Sequence, residues 1–179
     1  MFRKLLNSEL GRPAVDEYKA LAKSPITVVL DNVRSRHNIG SAFRTADAFK
    51  ASGIVLCGIS STPPSPEIHK SALGAEFSVD WAYRENTVDA VRELKDKGHI
   101  IIGVEQTENS VSADSFLNGE RRLERDKKYA VIFGNEVHGI SQEAVDLCDW
   151  TLEIPQWGTK HSLNVSVAIG IVLYVLTPR

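Results

Sequence analysis

Three segments of the sequence join polar side chains to the end of a predicted β-strand. They span residues 31–46, 131–141 and 154–168, and each runs from a strand pattern through a loop into a helix pattern. In open α/β sheets, ligands bind outside the carboxyl ends of the strands. These three segments are therefore the candidate functional segments of the chain.

The first segment is a polar, basic loop between a strand and a helix. Asn38 is expected at the N-cap or in the N-terminal turn of that helix, and Arg44 lies about one and a half turns further, off its apolar stripe. The free N–H groups and the dipole of a helix start suit an anion such as phosphate. A capping Asn beside a surface Arg explains the same residues without a ligand, and both interpretations stay open.

The second segment ends a buried strand in a glycine. Gly134 permits close approach of the backbone to a ligand, and Gly139 permits a tight turn around the intervening acid, Glu136. The segment matches neither G-x-G-x-x-G nor a P-loop, so a nucleotide cofactor bound in those modes is not supported. Simple turn chemistry is an equal alternative for these residues taken alone.

The third segment is a Pro/Gly loop that leads into a strongly apolar helix, predicted over 162–176. Its polar residues are Ser162, Asn164 and Ser166. An unpaired buried hydroxyl or amide costs about 1–3 kcal/mol, so these groups must find partners or a ligand. A helix that is apolar all round is buried on every side. We expect a second copy of the chain to cover it, which makes the protein a homodimer.

Strand and helix patterns alternate along the rest of the chain. Strands are predicted at 26–30, 54–57, 79–81, 99–104, 129–133 and 151–154, and helices at 13–23, 39–49, 87–97, 141–147 and 162–176. This alternation predicts an α/β fold with a mostly parallel sheet flanked by helices. Ser141 is expected to cap its helix and Gly98 to end the one before it. The connection 105–128 is either a mobile functional loop or a solvated surface hairpin or helix.

Length and composition limit the possible classes of protein. The 179 residues suit one domain, and 42% hydrophobic with 25% charged residues argues against disorder. Val167–Leu176, the longest apolar stretch, is far short of the roughly 18 residues that cross a membrane. We find no signal peptide pattern, so the expected location is the cytoplasm. Cys57 and Cys148 lack a metal-binding spacing and are expected to be reduced and internal.

The charge distribution leaves a nucleic-acid partner open. A net charge of −2 argues weakly against one, but residues 1–50 hold nine Lys and Arg against five Asp and Glu. The first part of the chain is therefore basic and the remainder acidic. A local basic face and scatter over a solvated surface fit this equally well.

The same residues carry a family resemblance. The matching stretches are Asn38-Ile39-Gly40, Arg44-Thr45-Ala46, Gly134-Asn135-Glu136 with Gly139-Ile140-Ser141, and Ser162-Leu163-Asn164-Val165-Ser166-Val167-Ala168. They resemble, in order, the three motifs of the SpoU/TrmH-type RNA ribose 2′-O-methyltransferases, which belong to the SPOUT class. The resemblance covers about residues 26–176, and the third motif is highly specific.

The resemblance implies a fold, a cofactor and an assembly. The fold would be an α/β sheet with a C-terminal trefoil knot, with residues 1–25 as an N-terminal helical extension and 26–179 as the methyltransferase domain. The knot would bind S-adenosylmethionine, without a metal, near the interface of a homodimer. The matching cofactor-binding residues are Gly134, Asn135, Ile154, Pro155, Gln156, Ser162 and Leu163.

The resemblance also implies a reaction. A ribose 2′-hydroxyl of tRNA or rRNA would attack the methyl sulfonium and leave S-adenosylhomocysteine. The matching catalytic residues are Asn38, Arg44, Glu136, Ser162 and Asn164. The family mechanism makes Arg44 a general base, although a guanidinium normally stays protonated. Either Arg44 is strongly desolvated, or it orients phosphate and hydroxyl while the proton leaves late.

The chain departs from the family pattern in two ways. Gln156 stands where Met is common, and His138 follows Glu136 where small or basic residues are frequent. We expect the core itself to bind RNA. The expected residues are Arg34, Arg36, His37 and Arg44, with Arg121, Arg122, Lys127 and Lys128 as further candidates.

Two other functions compete with a methyltransferase. One is a non-catalytic knotted domain that binds RNA or a nucleotide, although all five matched polar residues are present. The other is a small-molecule enzyme of the flavodoxin or Rossmann type. That class needs a Gly-rich turn directly after the first strand, and residues 31–38 contain no glycine.

Overall fold

The computed structural model describes residues 2–177. Its strands are β1 (Ser24–Asp31), β2 (Ala51–Cys57), β3 (Trp81–Arg84), β4 (His99–Val104), β5 (Val111–Ser112), β6 (Lys128–Phe133) and β7 (Trp150–Glu153). Its α-helices are α1 (Val15–Ala20), α2 (Arg36–Ala48), α3 (Pro66–Ala72), α4 (Ala75–Ser78), α5 (Thr87–Asp96), α6 (Asp114–Leu117), α7 (Gln142–Val145) and α8 (Val165–Leu176). A 3₁₀ helix, Asn7–Leu10, precedes α1.

The strands form one seven-stranded sheet in the order β3-β2-β1-β6-β4-β7-β5. Every described pair of neighbouring strands is parallel. The predicted α/β fold with a parallel sheet is confirmed. The trefoil knot and the domain boundary after residue 25 stay predictions.

Helices cover both faces of this sheet, because its central strands are apolar on both sides. In β1, Val28 belongs to the core cluster that includes Phe43 of α2 and Ile169 of α8, whereas the adjacent Val29 belongs to the cluster that includes Val91 of α5. This is the alternation of side chains expected along a strand. Helices α2 and α8 therefore share one face of the sheet, and α5 lies on the other.

Helix α8 differs from its prediction at both its start and its surface. It begins at Val165 with Asn164 as N-cap, so Ser162 lies in the preceding loop rather than in the helix. The expectation that the helix is buried all round is wrong for the single chain. Val167 is 49% exposed and Tyr174 is 51% exposed, while Val165, Ile169 and Val172 are buried. Among residues 2–177, no helix has the length and apolarity needed to span a membrane.

Several other elements differ from the sequence predictions. The strand expected at 79–81 is Trp81–Arg84, and α3 and α4 were not predicted, because Pro63, Pro64 and Pro66 dominate the pattern before them. The connection 105–128 contains β5 and α6. Ser141 occupies the N-cap position of α7, but its side chain does not cap the helix. Gly98 follows α5 with a φ of +81°, as predicted for a helix end.

We predict that Gly40→Ala destabilises the fold. Gly40 of α2 is buried, and a Cβ there would lie 2.1 Å from Oγ of Ser71 and 2.3 Å from the carbonyl oxygen of Ile68 in α3. Overpacking of this kind costs about 1–3 kcal/mol of unfolding free energy, measurable by urea denaturation. Ser41→Ala, next to it on α2, adds no atom and is the control. Equal stability of the two variants would contradict this close packing.

Candidate active site

The three candidate segments meet at the carboxyl edge of the sheet, around the side chain of Glu136. Its Oε2 accepts a hydrogen bond from the backbone N–H of Arg34 at 3.0 Å. Its Oε1 accepts one from the backbone N–H of Ser35 at 3.1 Å and one from Nδ2 of Asn38 at 3.0 Å. Glu136 thus fixes the turn that connects β1 to α2, and it orients Asn38.

These hydrogen bonds hold Glu136 in its charged form. Partial desolvation opposes ionisation of this carboxyl group. The hydrogen bonds from Arg34 N, from its own backbone N–H, from Asn38 and from Ser35 N together outweigh it and lower the pKa of Glu136 below its usual range. A charged acceptor is therefore present at neutral pH.

Asn38 is also hydrogen-bonded to the third segment. Nδ2 of Asn164 donates to Oδ1 of Asn38 at 3.2 Å. Oδ1 of Asn164 accepts from the backbone N–H of Ser166 at 2.8 Å and from its hydroxyl at 2.6 Å, which caps α8. Ser166 is thus a helix hydroxyl with a local partner. The hydrogen-bonded chain Glu136–Asn38–Asn164 contains one residue of each candidate segment.

A buried carboxylate, Asp31, supports this site from the end of β1. It is 1% exposed, and it accepts hydrogen bonds from the hydroxyl of Thr87 at 2.5 Å and from Nδ2 of Asn32 at 2.8 Å. The backbone N–H and the hydroxyl of Ser141 both donate to its other oxygen at 2.9 Å. We did not predict this role for Asp31, although a carboxylate that ends an apolar strand could have indicated it.

The second segment forms a closed turn against neighbouring loops. Asn135 and Gly139 exchange two backbone hydrogen bonds of 2.9 Å. A Cβ at Gly134 would lie 2.0 Å from the backbone carbon of Gly139, so this position tolerates only glycine. The side chain of Asn135 donates to the carbonyl of Asn32 at 2.7 Å and accepts from the N–H groups of Val137 and His138. Asn135 therefore shapes the turn.

A cavity of about 1290 Å³ opens beside this turn, between the loops that follow β4, β6 and β7. Of the expected cofactor-binding residues, it is lined by Gly134, Asn135, Ile154, Gln156, Ser162 and Leu163, but not by Pro155. Of the expected catalytic residues, it is lined by Glu136, Ser162 and Asn164. Glu105 also lines it, and its carboxylate accepts from the backbone N–H groups of Ile140 at 3.1 Å and Gln106 at 3.0 Å. Sequence reasoning missed Glu105.

Arg44 stands apart from the other expected catalytic residues. It is exposed, it does not line the cavity, and within residues 2–177 its side chain has no hydrogen bond or ion pair. Ser162 is exposed at the cavity, and its side chain is likewise unbonded within that range. Both side chains are therefore free to contact a substrate.

The expected RNA-binding residues surround the first turn of α2. Arg34, Arg36 and His37 are all exposed. Arg36 contacts Glu67 at 3.0 Å and Oγ of Ser61 at 3.2 Å. The further basic candidates on the 105–128 connection are exposed too, and Lys127 pairs there with Glu124 at 2.7 Å.

The described residues contain no metal site and no reactive thiol. No group of three or more His, Cys, Asp or Glu among residues 2–177 could hold a metal ion. Both cysteines there are free, and burial raises the pKa of Cys57 to about 12 and that of Cys148 to about 11. The polar groups at the cavity are therefore hydroxyl, amide, carboxylate and backbone groups, together with the imidazoles of His138 and His161.

The chain is similar in sequence to proteins described as RNA methyltransferases. A protein of Archaeoglobus fulgidus described as an uncharacterized tRNA/rRNA methyltransferase is 34% identical over 159 residues, 89% of this chain and 67% of that one. A Staphylococcus aureus protein named for the TrmH family of tRNA/rRNA methyltransferases is 33% identical over 82% of this chain and 56% of its own length. The chain thus spans between about half and two thirds of these relatives.

A solved structure has the same fold. The AdoMet-bound rRNA methyltransferase of Sinorhizobium meliloti is 30% identical, with a TM-score of 0.75 over 88% of this chain and 58% of that one. The model of the SpoU rRNA methylase family matches residues 25–174. The resemblance seen in the sequence motifs is thereby confirmed, and the chain belongs to the SpoU rRNA methylase family.

Proposed function

We propose that this protein transfers a methyl group from S-adenosylmethionine to a ribose 2′-hydroxyl of tRNA or rRNA. One observation carries the proposal: the chain Glu136–Asn38–Asn164 joins all three candidate segments beside the cavity. The names of two relatives, both described as tRNA/rRNA methyltransferases, support the class of reaction and substrate. The AdoMet-bound structure from Sinorhizobium meliloti supports the cofactor.

The residues at the cavity fit S-adenosylmethionine. Half-buried Ile154 and Leu163, which is 38% exposed, offer apolar surface for an adenine ring, and the turn at Gly134 lets backbone groups come close to a ligand. Asn135, Pro155, Gln156 and Ser162 complete the proposed binding residues. When bound, the cofactor supplies an electrophilic methyl group on a sulfonium, and S-adenosylhomocysteine is the product. Gln156 would place an amide beside it.

The polar residues would act mainly by orienting the ribose. Glu136 holds Asn38, and Asn38 holds Asn164, so the two amides occupy fixed positions. The free hydroxyl of Ser162 can contact the ribose. Correct orientation of two reactants can supply several kcal/mol of the barrier reduction, so fixed neighbours are enough for a large effect.

We assign Arg44 to orientation of the substrate phosphate. Its exposure in the single chain does not support the strongly desolvated guanidinium that a general base needs. Its position on α2, beyond Asn38, suits contact with the backbone of a bound RNA. The proton of the 2′-hydroxyl would then leave late, to water or another group.

We also propose that the protein is a cytoplasmic homodimer. The exposed Val167 and Tyr174 lie seven residues apart on α8, with the partly buried Ile171 between them. Positions i, i+4 and i+7 share one face of a helix, so these residues form an apolar stripe. Burial of this stripe against a second copy would remove it from water.

The proposed reaction can be tested by transfer of radiolabel from S-adenosylmethionine to bulk tRNA and rRNA. We predict transfer by the wild type, and a turnover about 10- to 100-fold lower for Glu136→Gln. The variant loses the charge that holds the turn after β1 and orients Asn38, so the amides that would position the ribose are no longer fixed. Glu120→Gln, on the exposed 105–128 connection, is the control. Absence of transfer to either RNA would favour the alternative of a non-catalytic RNA-binding domain.

Glu136→Gln should also change how the free energy of unfolding depends on pH. The pKa of Glu136 is lowered in the folded chain, so its contribution is present above the ordinary pKa of about 4.3 and is lost as the pH falls through the lowered value. The variant should therefore be slightly less stable than the wild type at pH 7, by no more than about 1 kcal/mol at this exposed site. The difference should shrink in acid, as measured by urea denaturation at pH 7 and pH 3.

Arg44→Lys tests the role of the guanidinium. Lys keeps the charge but loses the bidentate fork, so turnover should fall about 10-fold or more. If Arg44 orients the substrate, the pH profile keeps its shape between about pH 6 and 9. A rate that rises with pH towards the pKa of Lys, about 10.4, would instead support a base. Arg92→Lys on α5 is the control, and unchanged turnover in Arg44→Lys would overturn both roles.

Val167→Glu tests the homodimer. This residue is half exposed in the single chain, so a charge there costs little in a monomer, but it would be desolvated in the proposed interface. Analytical ultracentrifugation at micromolar concentration should show a dimer for the wild type and a monomer for the variant. Leu117→Glu, at an exposed apolar residue of α6, should remain dimeric. A monomeric wild type would refute the interface.

A further inference from the structure

A second hollow of about 510 Å³ lies at the same edge of the sheet, at the carboxyl ends of β2 and β3. Arg36 and Glu67 border it on the helix side, and Tyr83 of β3 borders it on the sheet side. Between them lies the polar loop that contains Ser61 and Thr62. The proposed methyl transfer does not use any of this surface apart from the general RNA-binding role of Arg36.

The first turn of α2 separates this hollow from the cofactor cavity. Arg36 borders the hollow, whereas Asn38 is hydrogen-bonded to Glu136, which lines the cavity. Residues two apart on a helix are rotated by roughly 200° and point away from each other. The two sites are therefore about one helix diameter apart, roughly 10 Å.

The floor of the hollow is fixed by buried hydrogen bonds. The hydroxyl of Ser60, a 3% exposed residue, accepts from the N–H of Val33 at 2.9 Å and donates to the carbonyl of Leu30 at 3.3 Å. Oδ1 of Asn32 accepts from the N–H of Ile59 at 3.1 Å. The loop after β2 is thus joined to the loop that carries Arg34 to Asn38, and the hollow is formed before any ligand arrives.

Tyr83 offers a fixed, partly exposed aromatic ring. It is 43% exposed, and its hydroxyl donates to the carbonyl of Gly58 at 2.9 Å, which holds the ring at the edge of the hollow. An exposed aromatic ring in a polar hollow suits a nucleobase, because every base can stack on it. Unpaired bases of RNA are commonly held in this way.

Arg36 can supply the contact to a phosphate. Its guanidinium pairs with Glu67 at 3.0 Å, and both side chains are about half exposed. Ion pairs between exposed groups are weak, so a phosphate can replace Glu67 as the partner of Arg36, while the carboxylate keeps its hydrogen bond from the hydroxyl of Ser65 at 3.0 Å. The hydroxyl of Ser61 lies 3.2 Å from Nε of Arg36, and Thr62 also lines the hollow, so both residues can contribute to binding of the phosphate or the ribose.

We propose that this hollow binds a nucleotide that flanks the methylated one in the substrate RNA, with the base on Tyr83 and the phosphate at Arg36. The proposal rests on the proposed RNA methyltransferase function. It adds a second point of attachment, which would select unpaired RNA whose strand can pass over the first turn of α2.

The test combines Tyr83→Ala, Tyr83→Phe and Thr62→Glu. Loss of the ring should weaken binding of bulk tRNA or rRNA about 10-fold, the size of one lost stacking contact, and Tyr83→Phe should restore most of it. Thr62→Glu adds a negative charge at the phosphate and should also weaken binding. Because Thr62→Glu changes a different residue of the hollow, weaker RNA binding by both variants could not be explained by misfolding of Tyr83→Ala alone. Phe77→Ala, at a 61% exposed aromatic residue outside the hollow, is the control.

Three measurements separate the outcomes: RNA binding on filters, KM for RNA in the radiolabel assay, and calorimetric binding of S-adenosylmethionine. The proposal expects weaker RNA binding and a higher KM for Tyr83→Ala and Thr62→Glu, with unchanged cofactor affinity. If both variants transfer methyl groups and bind RNA as tightly as the wild type, the hollow does not bind a nucleotide of the substrate, and the proposed function stands. Absence of transfer by the wild type overturns the function, and RNA binding that still depends on Tyr83 would then support the hollow alone.

Discussion

The rest of the site depends on the hydrogen bonds that surround the buried carboxylate of Asp31. A buried charge is costly unless donors surround it, and Asp31 receives four hydrogen bonds, from Asn32, from Thr87 of α5 and twice from Ser141. These donors come from three separate parts of the chain. By satisfying one charge, the fold brings the end of β1, the start of α5 and the loop after β6 into a single arrangement.

That arrangement determines the position of Glu136 and the orientation of two amides. A carboxylate only accepts hydrogen bonds, so the group of Asn38 that faces Glu136 must be its NH₂. The oxygen of Asn38 is then free to accept from Asn164, whose own oxygen caps α8. The direction of each bond follows from the charge at one end. The start of α8 and the site therefore stabilise each other.

The sequence predicts most of this fold, because strands buried on both faces have an apolar pattern that is hard to mistake. It also predicts the residues of the three segments, since polar side chains after apolar strands are conspicuous. It does not predict which of them touch. The hydroxyl of Ser141 binds Asp31 instead of capping α7, and Ser162 precedes α8 instead of starting it. The first outcome depends on a contact between residues 110 positions apart, which periodicity cannot reveal. The second follows from a local cap, in which Oδ1 of Asn164 accepts from the backbone N–H of Ser166.

The first turn of α2 separates two surfaces at the carboxyl edge of the sheet, the cavity on one side and the hollow on the other. Backbone N–H groups of Arg34 and Ser35 are bound to Glu136 on the cavity side, and the side chain of Arg36 contacts Glu67 on the other. A carboxylate therefore occupies each side of the same turn. The one at Glu136 receives backbone donors that cannot rotate away, so it is a permanent part of the site. The one at Glu67 accepts from the hydroxyl of Ser65 and pairs with the half-exposed side chain of Arg36, and Arg36 can exchange this partner for another anion. The cavity side therefore keeps a fixed geometry for the reaction. The opposite side can bind and release a substrate, because Arg36 can change its partner there.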